Sequence, residues 1–219
     1  IKEGEWVLEV GPGKGNLTQF LLEKGANVIG YEADRALVEE IKRRFPLFIG
    51  SRLFIKHQDF RKADVEKDLE ELGCAIPVKF VSNIPYFITG IIFRHMVKMR
   101  KLYSLIIMTL QREVAERMVA SPGSPSYGFT TLLVEYYFET RLLFNISPTC
   151  FRPIPKVFSS TVMFIPRENP PVSVTDERLF FRIVKESFNS RRKKLRTVLR
   201  KILDKKRILL LEERLEGKI

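Results

Sequence analysis

The residues best suited to chemistry begin with a glycine-rich stretch, Glu9-Val-Gly-Pro-Gly-Lys-Gly-Asn16, which directly follows a short apolar run. Glycines here let the backbone turn sharply and approach a ligand closely, because they carry no Cβ. A dinucleotide fingerprint would place glycine where Asn16 stands, and a phosphate-binding P-loop would need Gly-Lys followed by Ser or Thr. Neither pattern fits. For the glycines alone, a tight strand-to-helix turn without a ligand remains the alternative.

Two carboxylates follow the next two predicted strands: Glu32 ends the second strand, and Asp59 comes just after the third. Folds of this kind bind ligands at the carboxyl ends of parallel strands, so we expect both side chains near the glycine turn. Glu32 can accept hydrogen bonds from both ribose hydroxyls of a nucleoside. Asp59 can accept one from an adenine amino group, while Phe60 offers its backbone N–H. Each carboxylate alone is ambiguous, because dinucleotide enzymes share the first and aspartates like the second often cap helices.

A glycine turn after an acidic strand end is typical of enzymes that bind S-adenosylmethionine (SAM). The methionine half of SAM is zwitterionic and its sulfonium is positive, so a neutral to acidic turn suits it better than it suits a phosphate. We therefore predict SAM as the cofactor and S-adenosylhomocysteine as its product. The predicted cofactor-binding residues are Glu9, Gly11, Gly13, Glu32, Asp59, Phe60 and Asn83.

The motif Asn83-Ile-Pro-Tyr86 follows the fourth predicted strand. An adenine amino group is a poor nucleophile, because its lone pair is delocalised into the ring. The side-chain oxygen of Asn83 and the carbonyl of Pro85 can accept its two N–H groups, which draws electron density onto the nitrogen. Tyr86 can stack on a splayed base, an interaction worth about 1–3 kcal/mol. Four such residues alone would suit a proline turn with a core tyrosine equally well, but their order after the glycine turn and the carboxylates predicts adenine methylation.

These residues lie on an alternation of short apolar strands and helical patterns. Strands are predicted at 6–10, 27–31, 53–56, 78–82 and 104–110. The alternation predicts a parallel sheet with helices on both faces. Two later strands, at 141–146 and 159–165, are separated by a proline-rich stretch rather than a long helix, so we expect them to pair antiparallel.

The composition changes after the last predicted strand. Residues 166–171 are predicted to be a linker, and a helical tail follows. Apolar residues trace roughly one face of that tail: Phe181, Val184, Phe188, Leu195, Val198 and Ile202. We therefore divide the chain into a SAM-binding catalytic domain at 1–166 and a small basic helical domain at 167–219.

Charge indicates the partner. The chain has 38 Lys and Arg against 26 Asp and Glu, a net charge of +12. The segment from Lys185 to Arg207 contains eleven basic residues and two acidic ones, which gives it a net charge of +9. Solvated helix faces usually mix both signs, so this surplus predicts contact with RNA phosphates. The predicted RNA-binding residues are Arg191, Arg192, Lys193, Lys194, Arg196, Arg200 and Lys201.

The remaining composition excludes other classes of protein. Apolar residues make up 45% of the 219, which is enough for a sizeable core. The longest apolar runs fall far short of the roughly 20 residues that span a bilayer. Two cysteines and two histidines supply neither a disulfide framework nor zinc-site spacing. We expect a cytoplasmic monomer that contacts no membrane and holds no metal.

Taken together, the motifs resemble the ribosomal RNA adenine dimethyltransferases, the KsgA and Erm superfamily. The resemblance rests on the glycine turn, Tyr31-Glu-Ala-Asp34, Gln58-Asp59, Asn83-Ile-Pro-Tyr86 and the segment Phe151-Arg-Pro-Ile-Pro-Lys-Val-Phe-Ser-Ser160. Two further segments, 110–128 and 188–196, are similar to the KsgA branch. Members usually carry a basic segment before the first strand that helps to close the SAM pocket, whereas this sequence starts just before that strand.

The resemblance implies a class I SAM-dependent methyltransferase fold: a Rossmann-like, mostly parallel seven-stranded sheet with an antiparallel edge hairpin, and a small helical lobe. It implies catalytic roles for Asn83, Pro85, Tyr86 and Phe151, with Phe151 as the second wall of the base pocket. The implied activity is N6,N6-dimethylation of two adjacent adenosines near the 3′ end of 16S rRNA during assembly of the small subunit. We expect direct in-line attack by N6, which uses positioning and electrostatics rather than a strong general base.

Three alternatives stay open at this point. An Erm-type enzyme would methylate an adenine of 23S rRNA, although the segments 110–128 and 188–196 argue against it. A DNA adenine methyltransferase would more usually carry Asp/Asn-Pro-Pro-Tyr. A non-catalytic assembly factor would bind the immature subunit without turnover, and intact SAM motifs weigh against that.

Overall fold

The computed structural model describes residues 1–214 of the chain, and a mixed sheet forms the centre of that range. Its strands are Trp6–Val10 (β1), Asn27–Glu32 (β2), Leu53–His57 (β3), Val78–Asn83 (β4), Tyr103–Gln111 (β5), Phe138–Ile146 (β6) and Ser159–Pro166 (β7). The order across the seven-stranded sheet within those residues is β3-β2-β1-β4-β5-β7-β6. Strands β1 to β5 pair in parallel, and β7 runs antiparallel to both β5 and β6. The predicted fold class, edge hairpin included, is therefore confirmed.

The helices alternate with the strands in the first half of the chain. They are Asn16–Glu23 (α1), Arg35–Arg44 (α2), Val65–Glu71 (α3), Thr89–Lys98 (α4), Arg112–Met118 (α5), Phe129–Tyr137 (α6), Glu177–Asn189 (α7), Leu195–Leu199 (α8) and Lys205–Arg214 (α9). Helix α2 begins where the sequence indicates, since the Asp34 carboxylate accepts a 2.7 Å hydrogen bond from the Ala36 N–H. Helices α3 and α6 were not predicted.

The core lies on both faces of the sheet. Leu8, Phe80 and Ile106, on three neighbouring strands, are completely buried. They belong to the larger cluster of buried apolar side chains. Strands covered on both faces are apolar along most of their length. These strands can therefore be predicted from short apolar runs in the sequence.

The strand order creates a crevice where the site residues meet. The chain passes from β1 to β2 on one side, and β4 later adds to the other side of β1. Ligands in open α/β sheets bind at such a reversal of strand order, beyond the carboxyl ends of the strands. The glycine turn follows β1, Glu32 ends β2 and Asn83 ends β4. The sheet therefore brings together segments that are distant in sequence.

The tail is helical as the sequence predicts, but its apolar residues do not follow one continuous helix face. Helix α7 ends at Asn189, and residues 190–194 turn before α8 begins, so the apolar residues 181–202 do not share one helix face. Phe181 of α7 instead packs edge-on against Tyr136 of α6, with ring centroids 5.2 Å apart. Both Tyr136 and Tyr137 donate hydrogen bonds to Glu177, at 3.3 and 2.8 Å. Helix α7 is thereby anchored to the sheet domain.

Beyond α7, a small apolar cluster joins the last helices. Leu199, Leu203 and Ile208 are buried there and pack against side chains that include Leu179 and Ile183 of α7. Strand β7 ends at Pro166, where the predicted division into domains 1–166 and 167–219 falls. That division remains a prediction. None of the helices within residues 1–214 is both long and apolar enough to cross a membrane.

Candidate active site

The glycine turn after β1 lies directly against the Asn-Ile-Pro-Tyr segment. Gly11 adopts φ +66°, and its N–H donates to the Tyr31 carbonyl at 2.9 Å. A Cβ added to Gly11 would lie 3.3 Å from both Cγ and Cδ of Pro85. Because this contact is tighter than ordinary van der Waals packing, only glycine lets the turn and Pro85 approach so closely.

Glu32 is held by the turns on both sides of it. Its carboxylate is 7% exposed. One oxygen accepts from the Gly13 N–H and the other from the Asp34 N–H, each at 3.0 Å. A carboxylate has about four acceptor positions, so two remain for other donors. The Gly13 N–H thus holds the Glu32 carboxylate in place. The two acceptor positions that remain on this carboxylate are enough to bind two ribose hydroxyls.

Glu9 lies behind the turn rather than in the crevice. It is 2% exposed, and its carboxylate accepts a 2.7 Å hydrogen bond from the Thr18 hydroxyl of α1. Burial raises the pKa of Glu9 to about 7, and the nearby charge of Glu32 adds to the rise. Glu9 therefore links β1 to α1 under the glycine turn, and its predicted role as a cofactor ligand remains a prediction.

Asp59 lies at the crevice but already has a partner. The guanidinium of Arg61 donates to both carboxylate oxygens, at 3.0 and 2.8 Å from its Nε, and the Arg61 N–H donates at 2.9 Å. These hydrogen bonds lower the pKa of Asp59 to about 2. Sequence reasoning missed Arg61, although its position two residues after Asp59 is the local signal that could have revealed it. Asp59 is therefore a fixed anion with some acceptor capacity left.

A small cavity of about 150 Å³, here called the cofactor cavity, lies between these groups. Its lining residues come from four segments: Val10, Gly11, Tyr31, Glu32, Ala33, Gln58, Asp59, Phe60, Arg61, Pro85, Phe87 and Ile88. Apolar walls with two carboxylates among them suit an adenosine, whose base has flat apolar faces and a polar edge and whose sugar donates hydrogen bonds. The residues present therefore fit the adenosine half of SAM. Within residues 1–214, no cluster of three His, Cys, Asp or Glu side chains is arranged to hold a metal ion.

A larger cavity of about 570 Å³, here called the base cavity, lies beside the first. Asn83, Pro85, Tyr86 and Phe151 all line it, so the structure brings the four predicted catalytic residues to one place. Asn83 is exposed, and among the described residues its side chain has no hydrogen-bond partner. The Pro85 carbonyl accepts from the Ile88 N–H at 3.1 Å, which leaves it one lone pair. Both proposed acceptors are therefore available to an amino group.

Tyr86 is held by a residue that the sequence analysis did not assign to the site. Its hydroxyl lies 2.5 Å from the hydroxyl of Ser159, the first residue of β7. Ser159 is completely buried. Because Ser159 belongs to the same segment as Phe151, this hydrogen bond joins the two walls of the base cavity. The pairing depends on β5 and β7 being neighbours, which no local sequence signal reveals.

Pro85 and Phe87 line both cavities. Phe87 is 83% exposed, although Ile88 beside it is buried. Large apolar side chains are seldom this exposed unless something binds over them, so a ligand in either cavity could cover the Phe87 ring. The two cavities thus share one wall, and groups bound in them would meet at Pro85.

The predicted RNA-binding residues lie on the surface of the tail. Arg192, Lys193 and Lys194 are in the exposed turn between α7 and α8, and Arg196, Arg200 and Lys201 are exposed in and after α8. Arg191 is more constrained, because its guanidinium donates to the Tyr127 carbonyl and lies 5.1 Å from the centroid of the Phe188 ring. The turn presents a one-sided positive surface.

The sequence of the chain is similar to those of known proteins. A sequence model described as "Ribosomal RNA adenine dimethylase" matches residues 1–218. The chain is 38% identical over 210 residues to a Protochlamydia amoebophila protein named ribosomal RNA small subunit methyltransferase A, covering 95% of this chain and 72% of that protein. Other curated relatives are covered over about two thirds of their length.

Two solved structures resemble the whole described fold. A dimethyladenosine transferase from Plasmodium falciparum has a TM-score of 0.76 and 27% identity, with 98% of this chain and 72% of that chain covered. The 23S rRNA methyltransferase ErmE has a TM-score of 0.74 and 22% identity, with 97% and 82% covered. The second likeness shows only a common fold.

Proposed function

The chain belongs to the ribosomal RNA adenine dimethylase family, and we propose that it transfers methyl groups from SAM to N6 of adenosines in 16S rRNA. The specific substrate we propose is two adjacent adenosines near the 3′ end, each methylated twice, in an assembling small subunit. The observation that carries the proposal is the pair of cavities that share Pro85, with Asn83 lining one and Glu32 lining the other.

The residues of this chain hold the cofactor in place. Glu32 would accept from the ribose hydroxyls, and Asp59 and Phe60 would receive the adenine edge. When bound, SAM supplies an electrophilic methyl group on a positive sulfonium. Pro85 also lines the cofactor cavity, so the adenosine site lies next to a residue of the base cavity.

The base cavity orients the nucleophile. The Asn83 amide oxygen and the Pro85 carbonyl oxygen would accept the two N–H groups of the target amine, which localises its lone pair on nitrogen. Tyr86 and Phe151 would clamp the base between them, and Ser159 fixes the ring of Tyr86 through its hydroxyl. The methylated amine is acidic and can lose its proton to water. Positioning and electrostatics therefore account for the chemistry without a strong general base.

The exposed basic turn supports the choice of RNA as partner. Lys and Arg side chains on a one-sided surface bind phosphates and set register without reading sequence. We propose that Arg191, Arg192, Lys193, Lys194, Arg196, Arg200 and Lys201 contact rRNA around the target, with the protein acting as a cytoplasmic monomer.

The deciding experiment measures transfer from tritium-labelled SAM to purified 30S subunits that lack the modification, followed by mapping of the methylated bases. We expect incorporation into adjacent adenosines of 16S rRNA. Incorporation into 50S subunits instead would indicate an Erm-type specificity, and transfer to duplex DNA would indicate a DNA methyltransferase. Binding to 30S subunits without transfer of a methyl group would indicate a non-catalytic assembly factor.

The variant Asn83→Ala tests the proposed mechanism. Removing the amide oxygen leaves the amine oriented by a single acceptor, and we expect methyl transfer to fall at least about a hundredfold. Affinity for the 30S subunit should stay within about twofold, because most RNA affinity comes from phosphate contacts elsewhere. Substantial turnover by this variant would refute the amine-orienting role of Asn83.

A further inference from the structure

A third cavity of about 350 Å³ lies next to the base cavity, and it is named here the flanking cavity. Its lining residues are Gln111, Arg112, Glu113, Glu116, Lys156, Val157 and Phe158. Both acidic side chains already have basic partners, since Glu113 pairs with Arg117 and Glu116 with Arg112. None of the lining residues is among those to which the proposed reaction assigns a role. The flanking cavity therefore requires a separate explanation.

The flanking cavity is the next position along the same strand, β5, and along the same loop. On β5, Thr109 lines the base cavity and Gln111 lines the flanking cavity. Residues two apart on a strand point to the same face and are separated by roughly 7 Å. The loop shows the same succession, since Pro155 lines the base cavity and Lys156 lines the flanking cavity. A strand of RNA with one base in the base cavity would pass directly over this second opening.

The side chains in the flanking cavity match the parts of a nucleotide. Phe158 is 50% exposed and Val157 is 43% exposed, so an aromatic ring and an apolar neighbour are open to solvent. Aromatic rings of this kind stack on nucleobases regardless of their sequence. Such stacking would remove the apolar surface of both partners from water.

Polar groups complete the match. Lys156 is exposed and makes no ion pair with any residue that the structure describes, so its ammonium group is available to a phosphate. Gln111 carries an amide that can donate to and accept from a base edge. Arg112 is held by Glu116 at 2.7 Å, in an exposed pair that is easily exchanged for a phosphate.

We infer that the flanking cavity receives the nucleotide next to the adenosine being methylated, with its base on Phe158 and its phosphate near Lys156. This inference rests on the proposed function, because it takes the substrate to be an RNA strand threaded through the base cavity. It adds a contact that would hold the register of that strand.

The first test couples a protein change to an RNA change. Small subunits are reconstituted with 16S rRNA that carries an abasic ribose in place of the neighbouring nucleotide, on the 5′ side or on the 3′ side. We expect kcat/KM of the unmodified enzyme to fall by about five- to 150-fold on one of these two substrates, the range for loss of one stacked base. Phe158→Ala should show the same loss on intact RNA and no further loss on that abasic substrate.

The matched control is Phe144→Ala. Phe144 is also an exposed phenylalanine, but it lies on the edge strand β6 and does not line any of the three cavities. We expect its kcat/KM to stay unchanged on every substrate. Thermal unfolding of both variants shows whether the fold is intact. Equal effects of Phe158→Ala on intact RNA and both abasic substrates would overturn the inference.

The second measurement does not depend on methyl transfer. A short single-stranded RNA with 2-aminopurine next to the target adenosine should lose fluorescence on binding, since stacking quenches this base. Phe158→Ala should bind without quenching. Persistent quenching together with failed transfer to 16S rRNA would refute the proposed function alone. Quenching that Phe158→Ala leaves unchanged would refute the flanking site.

Discussion

Substitution of Gly11 by alanine tests whether the contact between the glycine turn and Pro85 matters for the reaction. The new Cβ would lie 3.3 Å from two atoms of the Pro85 ring, so the ring must move by a few tenths of an ångström. Pro85 lines both cavities and carries one of the two proposed acceptors. Since a displacement of 1 Å at a reacting centre costs about a hundredfold, we expect this smaller shift to lower kcat/KM by about tenfold.

The same substitution also strains the backbone, and a second glycine isolates that effect. Gly11 has φ +66°, a conformation that costs a residue with a side chain about 1–2 kcal/mol. Gly73 has φ +63° in a loop far along the chain from the turn, and its added Cβ would meet nothing within 4 Å. Gly73→Ala should therefore lower the free energy of unfolding by a similar amount and leave kcat/KM unchanged.

The assay combines two measurements on the unmodified protein, Gly11→Ala and Gly73→Ala. Denaturant unfolding gives the loss of stability, and methyl transfer to 30S subunits gives kcat/KM. Equal activity of the two variants would refute the reasoning, because it would mean that the approach of Pro85 to the turn has no effect on catalysis. A much larger loss of stability for Gly11→Ala would mean that the Pro85 contact mainly supports the fold.

Three further predictions concern the hydroxyl pair, the buried carboxylate and the basic turn. Ser159→Ala should lower the free energy of unfolding by about 1–3 kcal/mol because it leaves the Tyr86 hydroxyl unpaired, and adding Tyr86→Phe should restore part of it in denaturant titrations. The folded-state pKa of Glu9 is about 7 against 4.5 for the ordinary side chain, so the folded protein binds the proton more tightly. Stability should therefore fall by about 3 kcal/mol as pH rises from 4.5 to 7, and Glu9→Gln should remove most of that slope. Replacing Arg192 and Lys193 by glutamine should weaken rRNA binding and reduce the slope of log affinity against log salt by about 1.5 to 2; an unchanged slope would place the phosphate contacts elsewhere.

The sheet was predictable from sequence because its strands are buried on both faces. In β2, for example, Val28, Ile29 and Tyr31 are apolar and every residue from 28 to 32 is buried, which is the pattern that such burial produces. Helix α6 was missed for the opposite reason. Its sequence, Phe129–Tyr137, is rich in threonine, valine and aromatic residues, which favour strands, yet aromatic packing against α7 holds it as a helix. Helix α3 was missed because four of its seven residues are acidic and one is basic, so little apolar periodicity remains.

The site could be predicted in position but only partly in its contacts. The carboxyl ends of β1, β2 and β4 bring the glycine turn, Glu32 and Asn83 together, as the strand alternation implied. Local spacing does not reveal that Glu9 faces Thr18 rather than the crevice, or that Ser159 reaches Tyr86. Both contacts depend on which elements become neighbours in space. Each contact is an ordinary side-chain hydrogen bond, but the sequence does not show which two residues form it.

The wall that the two cavities share makes their ligands thermodynamically dependent on each other. Phe87 is largely exposed and Pro85 separates the two spaces, so filling one cavity changes the surface that the other ligand meets. If the nucleoside cofactor raises the affinity for the nucleobase, the nucleobase must raise the affinity for the cofactor by the same factor. With such coupling, release of the demethylated cofactor would weaken binding of the modified base.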